Sequence, residues 1–368
     1  MDTLIPVEYY TQVFYFFILV ITLFTYSRSG VTPIDDQNNL KLKNTYGVIL
    51  LFVVVIYTGI RPLSGKYFGD MRTYSDSFES YAKGTKVDTS PGKDYLFEFF
   101  MKGSSSIMSI DLFFLMCALL YIIPLYFTSK KIFEEYWYYC FLILIASFSF
   151  WSYGTNGIRN GIATSLFLLA IASKEKRLML FWLVISFFFH KSILIPIVGL
   201  FLTLFHNNTK SYLLIWLLAI PLSLALGGFW ENFFLNIGIF DDTRLEGYLG
   251  GDDEFQEQFS SLGFRWDFLL YSMTGVFAGW YFIIRKEFKD PLYKTLFNIY
   301  LFANAFWILV IRANFSNRFA YLSWFMLGII IIYPLLKMKF FNNQHLVIGR
   351  ILIIYFLFTF VLNVILAK

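Results

Sequence analysis

Long uncharged apolar runs alternate with short polar breaks along the whole chain. They fall near residues 9–26, 46–60, 112–129, 136–152, 160–173, 211–230, 268–284, 295–311, 319–336 and 351–367. A hydrocarbon core of ~30 Å is crossed by about 20 apolar residues in a helix, and only helices or closed barrels satisfy their own backbone there. The pattern therefore predicts an all-α, polytopic integral membrane protein with about 11–12 transmembrane helices. The stretch 178–205 decides the count, because His190-Lys191-Ser192 interrupts it. Read as one helix it crosses once; broken at His190 it crosses twice and reverses the side of every later loop.

Two polar segments are too long to be simple connections. Residues 61–106 mix aromatics with both signs of charge, and Tyr95-Leu96-Phe97-Glu98-Phe99-Phe100 predicts short amphipathic helices lying on the membrane. Residues 231–267 are acidic and interrupted by glycines. No internal repeat or soluble domain separates these parts, so residues 1–368 read as a single membrane domain with two longer extracytoplasmic loops.

Orientation follows from Lys and Arg in short loops. With the break at His190, the connections 27–45, 128–135, 174–177, 206–210, 285–294 and 337–350 lie on one side and carry 16 of the 30 basic residues but only 7 of the 25 acidic ones. That side is the expected inside, and both termini are outside. No basic segment precedes the first apolar run, so it reads as a retained helix rather than a cleaved leader.

Composition agrees: 58% of residues are hydrophobic, 22% aromatic and 15% charged, against about 25% charged in soluble domains. The formal charge of +5 is unclustered, which gives no footing for nucleic acid. Cys117 and Cys140 fall inside apolar runs and suggest neither disulfide nor metal. Walker, GxSxG and HExxH motifs are absent, which leaves ATP-driven transport and familiar hydrolase chemistry without support. Gly250-Gly251-Asp252-Asp253-Glu254 resembles a diguanylate-cyclase signature but has an extra Asp and no nucleotide-binding domain around it. With Asp241 and Asp242 its carboxylates offer oxygen ligands for a divalent cation, but the stretch reads rather as a solvated acidic loop. No cofactor and no metal is called for.

Candidate chemistry collects on the expected outer side: Arg61, Asp70, Arg72, Arg159, His190, Arg265, Arg312 and Arg318. A guanidinium stays ionised, so Arg159, between two apolar runs, must face water, a partner or an anion. Several arginines around one cavity suit phosphate oxygens, while the plainer reading is snorkelling to lipid headgroups. Asp70 beside Arg72 suits a base or a structural pair, and His190 suits chemistry or a bond to a carbonyl freed by the helix break. Tyr74, Trp151, Tyr153 and Tyr321 could stack on sugar rings or simply populate the membrane interface.

The order of these elements resembles the EpsG family, the Wzy-type polymerases of bacterial surface polysaccharides. Arg61 is followed by Gly69, Asp70 and Tyr74 in a G-x-D-x-x-x-Y pattern, then Asn156, Arg159 and Ala163 in N-x-x-R-x-x-x-A. Phe189, His190 and Ser192 follow in F-H-x-S, and Arg318 and Tyr321 in R-x-x-Y. The chain departs at Asn160, where the pattern has Gln. The resemblance implies a multi-pass protein of the bacterial plasma (inner) membrane that joins undecaprenyl-diphosphate-linked repeat units into capsule, exopolysaccharide or O-antigen. Arg159 and Arg318, with Arg312 and Arg61, would hold the diphosphate, and Asp70 or His190 would be the base. The implied partners are the lipid-linked oligosaccharide, the bilayer, and the flippase and chain-length regulator of the same pathway. A flippase, an O-antigen ligase and a membrane O-acyltransferase are the alternatives.

Overall fold

The computed structural model describes residues 5–89, 93–236, 263–313 and 316–366. All regular structure among them is helical. The acidic 241–254 stretch and most of the second long loop lie outside the described residues.

In chain order the helices are α1 Tyr10–Ser29, α2 Gln37–Gly59, α3 Gly65–Phe68, α4 Met71–Ala82, α5 Tyr95–Ser105, α6 Ile110–Phe133, α7 Trp137–Ile145 and α8 Phe148–Thr155. They continue with α9 Ile158–Ile171, α10 Lys176–Phe189, α11 Leu194–Phe205, α12 Thr209–Asn236, α13 Trp266–Trp280, α14 Pro291–Leu309, α15 Ser316–Lys337 and α16 Gln344–Phe360. Seven segments of the described chain are long and apolar enough to cross a membrane: Val7–Ser29, Gln37–Gly59, Ile110–Ile145, Thr209–Trp230, Trp266–Arg285, Ser316–Lys337 and Gln344–Ile365. The other expected crossings fall on shorter or interrupted helices, among them Ile158–Ile171 and Lys191–Phe205.

Local chemistry starts several of these helices. Asp36 accepts the Asn39 N–H at 2.7 Å ahead of α2, and Asp290 accepts the Tyr293 N–H at 2.9 Å with Pro291 opening α14. The stretch around His190 is broken. His190 is extended (φ −159°, ψ 122°) between α10 and a single 3-10 turn, Lys191–Ile193. Pro196 in the first turn of α11 explains this, since its ring would clash with the Ser192 carbonyl of a continuous helix and it offers no N–H. Asp94 accepts the Lys191 N–H at 3.1 Å and caps the new start.

The described helices pack as two compact units. One comprises Met1–Asp88, Tyr95–His190 and Ile332–Lys368; the other comprises Thr89–Asp94 and Lys191–Ile331. The boundary after His190 coincides with the helix break. In the first unit, residues of the 30–36, 134–136 and 338–343 loops line one cleft of ≈ 380 Å³, including Asp35, Tyr136, Lys339 and Asn342. Those are loops that the charge pattern assigns to one side. Burial is uneven between helices: 94% of the apolar window of α15 is buried against 22% for α12. α15 is enclosed by protein, whereas α12 presents Leu214, Leu217 and Leu218 outward.

The first long loop does form short amphipathic helices. α4 puts Met71, Tyr74, Phe78 and Tyr81 on one buried stripe at helical spacing, and α5 answers with Phe97, Met101 and Ser104. Phe97 meets Tyr74 at 5.5 Å, and Phe78, Phe97 and Phe100 surround Phe113 of α6. The stripe is closed by protein of the same unit. Tyr81 donates to Glu98 at 2.6 Å and Lys102 donates to the Tyr81 carbonyl at 2.7 Å, tying the two helices together.

Candidate functional site

Helix α8 ends at Thr155 and α9 starts at Ile158, so only Asn156 and Gly157 turn the chain. Gly161 makes so short a turn possible: a Cβ there would lie 2.8 Å from the Tyr153 carbonyl oxygen. Arg159 thus sits in the first turn of α9, whose N-cap, Gly157, supplies no side-chain bond. A helix N-terminus carries partial positive charge, and a cation in its first turn is electrostatically unfavourable. The two together favour a negative group.

The 61–74 segment docks on this turn. Gly69 has φ +54° and ψ −115°, a conformation suited to glycine, and a Cβ there would fall 2.4 Å from Asn156 Oδ1. This close approach lets the Asp70 N–H donate to Asn156 Oδ1 at 2.8 Å. Asp70 opens α4 without capping it through its carboxylate. One turn later the Tyr74 hydroxyl accepts from Arg159 Nε at 3.4 Å, and the rings of Tyr74 and Phe97 lie 5.8 and 5.9 Å from the guanidinium carbon. Asp70 and Tyr74 are four residues apart on α4, and Asn156 and Arg159 are three apart, so the two segments pair at two points. The pairing brings Asp70 of the α4 start and the half-exposed Arg159 of the α9 start to one junction.

Arg61 lies behind the junction and is 3% exposed. It donates to the Thr58 carbonyl at 2.6 Å and the Thr155 carbonyl at 3.1 Å, which are orphan acceptors at the C-terminal ends of α2 and α8. Its guanidinium carbon also lies 5.0 Å from the Phe114 ring. Burial pushes its pKa down to about 10, which leaves it a cation at neutral pH. In this position Arg61 joins two helix ends and fixes the residue before Asn156, rather than presenting its fork to a ligand.

Residues 44–368 match the EpsG family, a span that includes the G-x-D, N-x-x-R, F-H-x-S and R-x-x-Y elements. The chain belongs to the EpsG family. It is accordingly a polysaccharide polymerase-like membrane protein. No curated protein and no solved structure matches it.

The remaining family positions are distributed over both units of this EpsG protein. His190 is half-buried at the end of α10, with its N–H on the Ser186 carbonyl at 3.2 Å. In the second unit Arg318 is half-buried in the first turn of α15, and Tyr321 on the same face lies 5.7 Å from Trp324. Arg312 is exposed and donates weakly, at 3.4 Å, to the Leu224 carbonyl. That carbonyl is available because α12 loses helical geometry at Leu226 (φ −132°, ψ 32°). Arg265 forms a two-pronged pair with Asp267 at 2.9 and 2.6 Å, so its charge is already matched.

The four aromatics expected to stack on sugar rings are buried side chains. Tyr74, Trp151, Tyr153 and Tyr321 are only 3–6% exposed. Trp151 stacks on Phe14 at 4.3 Å and donates to Thr11, as a core residue does. Among the described residues no group of three or more His, Cys, Asp or Glu side chains is placed to hold a metal.

Two features escaped the sequence reading. Asn156 was legible only as a motif position; its contact with Gly69 and Asp70 spans 86 residues. The second is a buried polar network in the second unit. Trp216 donates to Asn304 at 2.7 Å, Asn304 donates to Ser272 at 3.0 Å and Ser323 at 2.9 Å, and Trp324 donates to Ser272 at 2.7 Å. Asn304 within an apolar run was its one signal, and a network so well satisfied pins helices α12, α13, α14 and α15 together.

Proposed function

We propose that this EpsG-family protein is a Wzy-type polymerase joining undecaprenyl-diphosphate-linked oligosaccharide repeat units at the outer face of the bacterial plasma membrane. The observation that carries the reading is the double pairing of Asn156 with Asp70 and Arg159 with Tyr74. It sets a cation and a side-chain-uncapped helix N-terminus beside a carboxylate, which is what transfer from a diphosphate donor needs. As the C1–oxygen bond to the diphosphate breaks, charge develops on the leaving phosphate, and Arg159 with the start of α9 stabilises it. The acceptor hydroxyl forms the new bond to C1 and gives its proton to Asp70. The lipid diphosphate departs and the chain is longer by one unit.

Arg61 acts in this scheme by positioning the 155–156 turn. Arg318 is assigned as a further diphosphate contact and His190 as the alternative base, on family position, and Arg312 as a weaker diphosphate contact, on its charge near Arg318 in the chain. The outer face is supported by the gathering of basic residues in the opposite loops. The acceptor is the non-reducing-end hydroxyl of another lipid-linked unit, and the flippase and chain-length regulator of the pathway are the expected partners.

Purified protein in detergent, given its native lipid-linked repeat, should produce a polymer ladder, and Arg159→Ala should abolish it while leaving the protein folded. Untransferred polymer, or single units moved across vesicles without linkage, would instead indicate a ligase or a flippase.

A further inference from the structure

At the far ends of α2 and α6 from Asn156, an open groove of ≈ 580 Å³ carries both signs of charge on an apolar wall. Lys130 and Lys131 come from the last turn of α6, Glu134 and Glu135 from the turn after it, and Val48 and Phe127 form apolar wall. Val48 is 39% exposed and Phe127 46%, as side chains facing lipid are. Lys130 stands 5.6 Å from the Tyr126 ring centre, yet none of the four charged groups is in an ion pair with another described residue. Glu134 closes α6 at φ +50°, its N–H on the Lys130 carbonyl. Glycine would make that closure without strain, so the carboxylate is held at the groove against a backbone cost.

Both α2 and α6 belong to segments apolar enough to cross a membrane, and the groove lies at their polar ends, the level of lipid headgroups. An occupant there must offer a negative group to the lysines, a hydrogen-bonding positive group to the glutamates, and hydrocarbon to Val48 and Phe127. We propose that the groove binds one aminophospholipid, its phosphate on Lys130 and Lys131 and its primary ammonium on Glu134 and Glu135. A glycerol headgroup lacks the cation. A choline headgroup cannot donate hydrogen bonds to the carboxylates.

The test is native mass spectrometry of the full-length protein titrated with phospholipids of matched acyl chains bearing ethanolamine, glycerol or choline headgroups. The ethanolamine lipid should bind roughly tenfold more tightly than the choline lipid, the worth of a charge-assisted hydrogen bond. Glu134→Gln with Glu135→Gln should erase that preference, and Lys130→Gln with Lys131→Gln should weaken all three lipids. Glu134→Gly relieves the backbone, so it should fold at least as well as the parent and still lose preference. Equal binding of the three lipids, tightest binding of the glycerol lipid, or a preference that survives in Glu134→Gly would overturn the proposal.

Discussion

Gly69→Ala tests whether the Asn156–Asp70 junction builds the site. An alanine at φ +54°, ψ −115° carries strain of about 1–3 kcal/mol. Its Cβ would also fall 2.4 Å from Asn156 Oδ1 and 2.6 Å from Cγ, so the amide must swing away and the 2.8 Å bond to the Asp70 N–H is lost. That bond contributes about 1 kcal/mol. The sum, roughly 2–4 kcal/mol, falls on the turn that orients Asp70 and Tyr74, so turnover should drop at least ~10-fold. Asn156→Ala removes the bond without the clash and should lose less. The double variant should be better than the sum of the two singles, because the alanine at 69 then has nothing to strike. Asn156→Asp keeps an acceptor oxygen in place and should retain most activity. Ladder formation by purified protein gives the rates, and thermal unfolding in detergent separates site loss from global loss. Wild-type rates in Gly69→Ala, or strict additivity of the pair, would refute the junction as the organiser of the site.

Arg159→Lys should polymerise slowly and Arg159→Ala should lose ~10²-fold to 10³-fold in rate, because lysine keeps the charge but not the planar fork; equal rates would remove Arg159 from the diphosphate. Arg318→Ala and Arg312→Ala should each reduce ladder formation at unchanged expression, and a normal ladder from both would confine diphosphate binding to the first unit. Asp70→Asn should still bind lipid-linked substrate while losing turnover, and normal turnover would move the base to His190. For topology, cysteine at exposed Thr85 should react with an impermeant reagent from outside and cysteine at exposed Glu287 should not, in a background with Cys117 and Cys140 replaced; outside labelling at 287 would undo the assignment of faces.

Most of the architecture was legible because lipid leaves the backbone few choices. Long apolar runs can only be helices there. The break at His190 was readable as well, from the polar His190-Lys191-Ser192 interruption and the parity of charge, although both halves are shorter than a simple span. Division into two units was not legible. It depends on which helix faces pack together, and in an apolar helix such as α15 every face reads alike. The amphipathic α4 and α5 were expected on the membrane surface, but the same periodicity serves equally well to bury a stripe against α6.

The arginines show where reading residue types along the chain ends. Arg61, Arg159, Arg265 and Arg318 look alike in sequence, each an ionised group beside an apolar run. Their roles diverge through partners contributed by distant segments. Arg61 meets two helix carbonyls, those of Thr58 and Thr155, the second 94 residues away; Arg265 meets Asp267; and Arg159 meets the Tyr74 phenol and the ring faces of Tyr74 and Phe97. A guanidinium committed to helix C-termini stabilises a turn, because carbonyl dipoles satisfy it without neutralising it. One set against aromatic rings at the start of a helix keeps attraction for an anion. Under the proposed function the family pattern contains two kinds of arginine, one that builds the turn and one that uses it, and substitution should separate them. Arg61→Gln should lower thermal stability and turnover together, whereas Arg159→Gln should lower turnover with the unfolding temperature unchanged. If both variants lost stability equally, Arg159 would be a structural residue and the anion site would have to lie elsewhere.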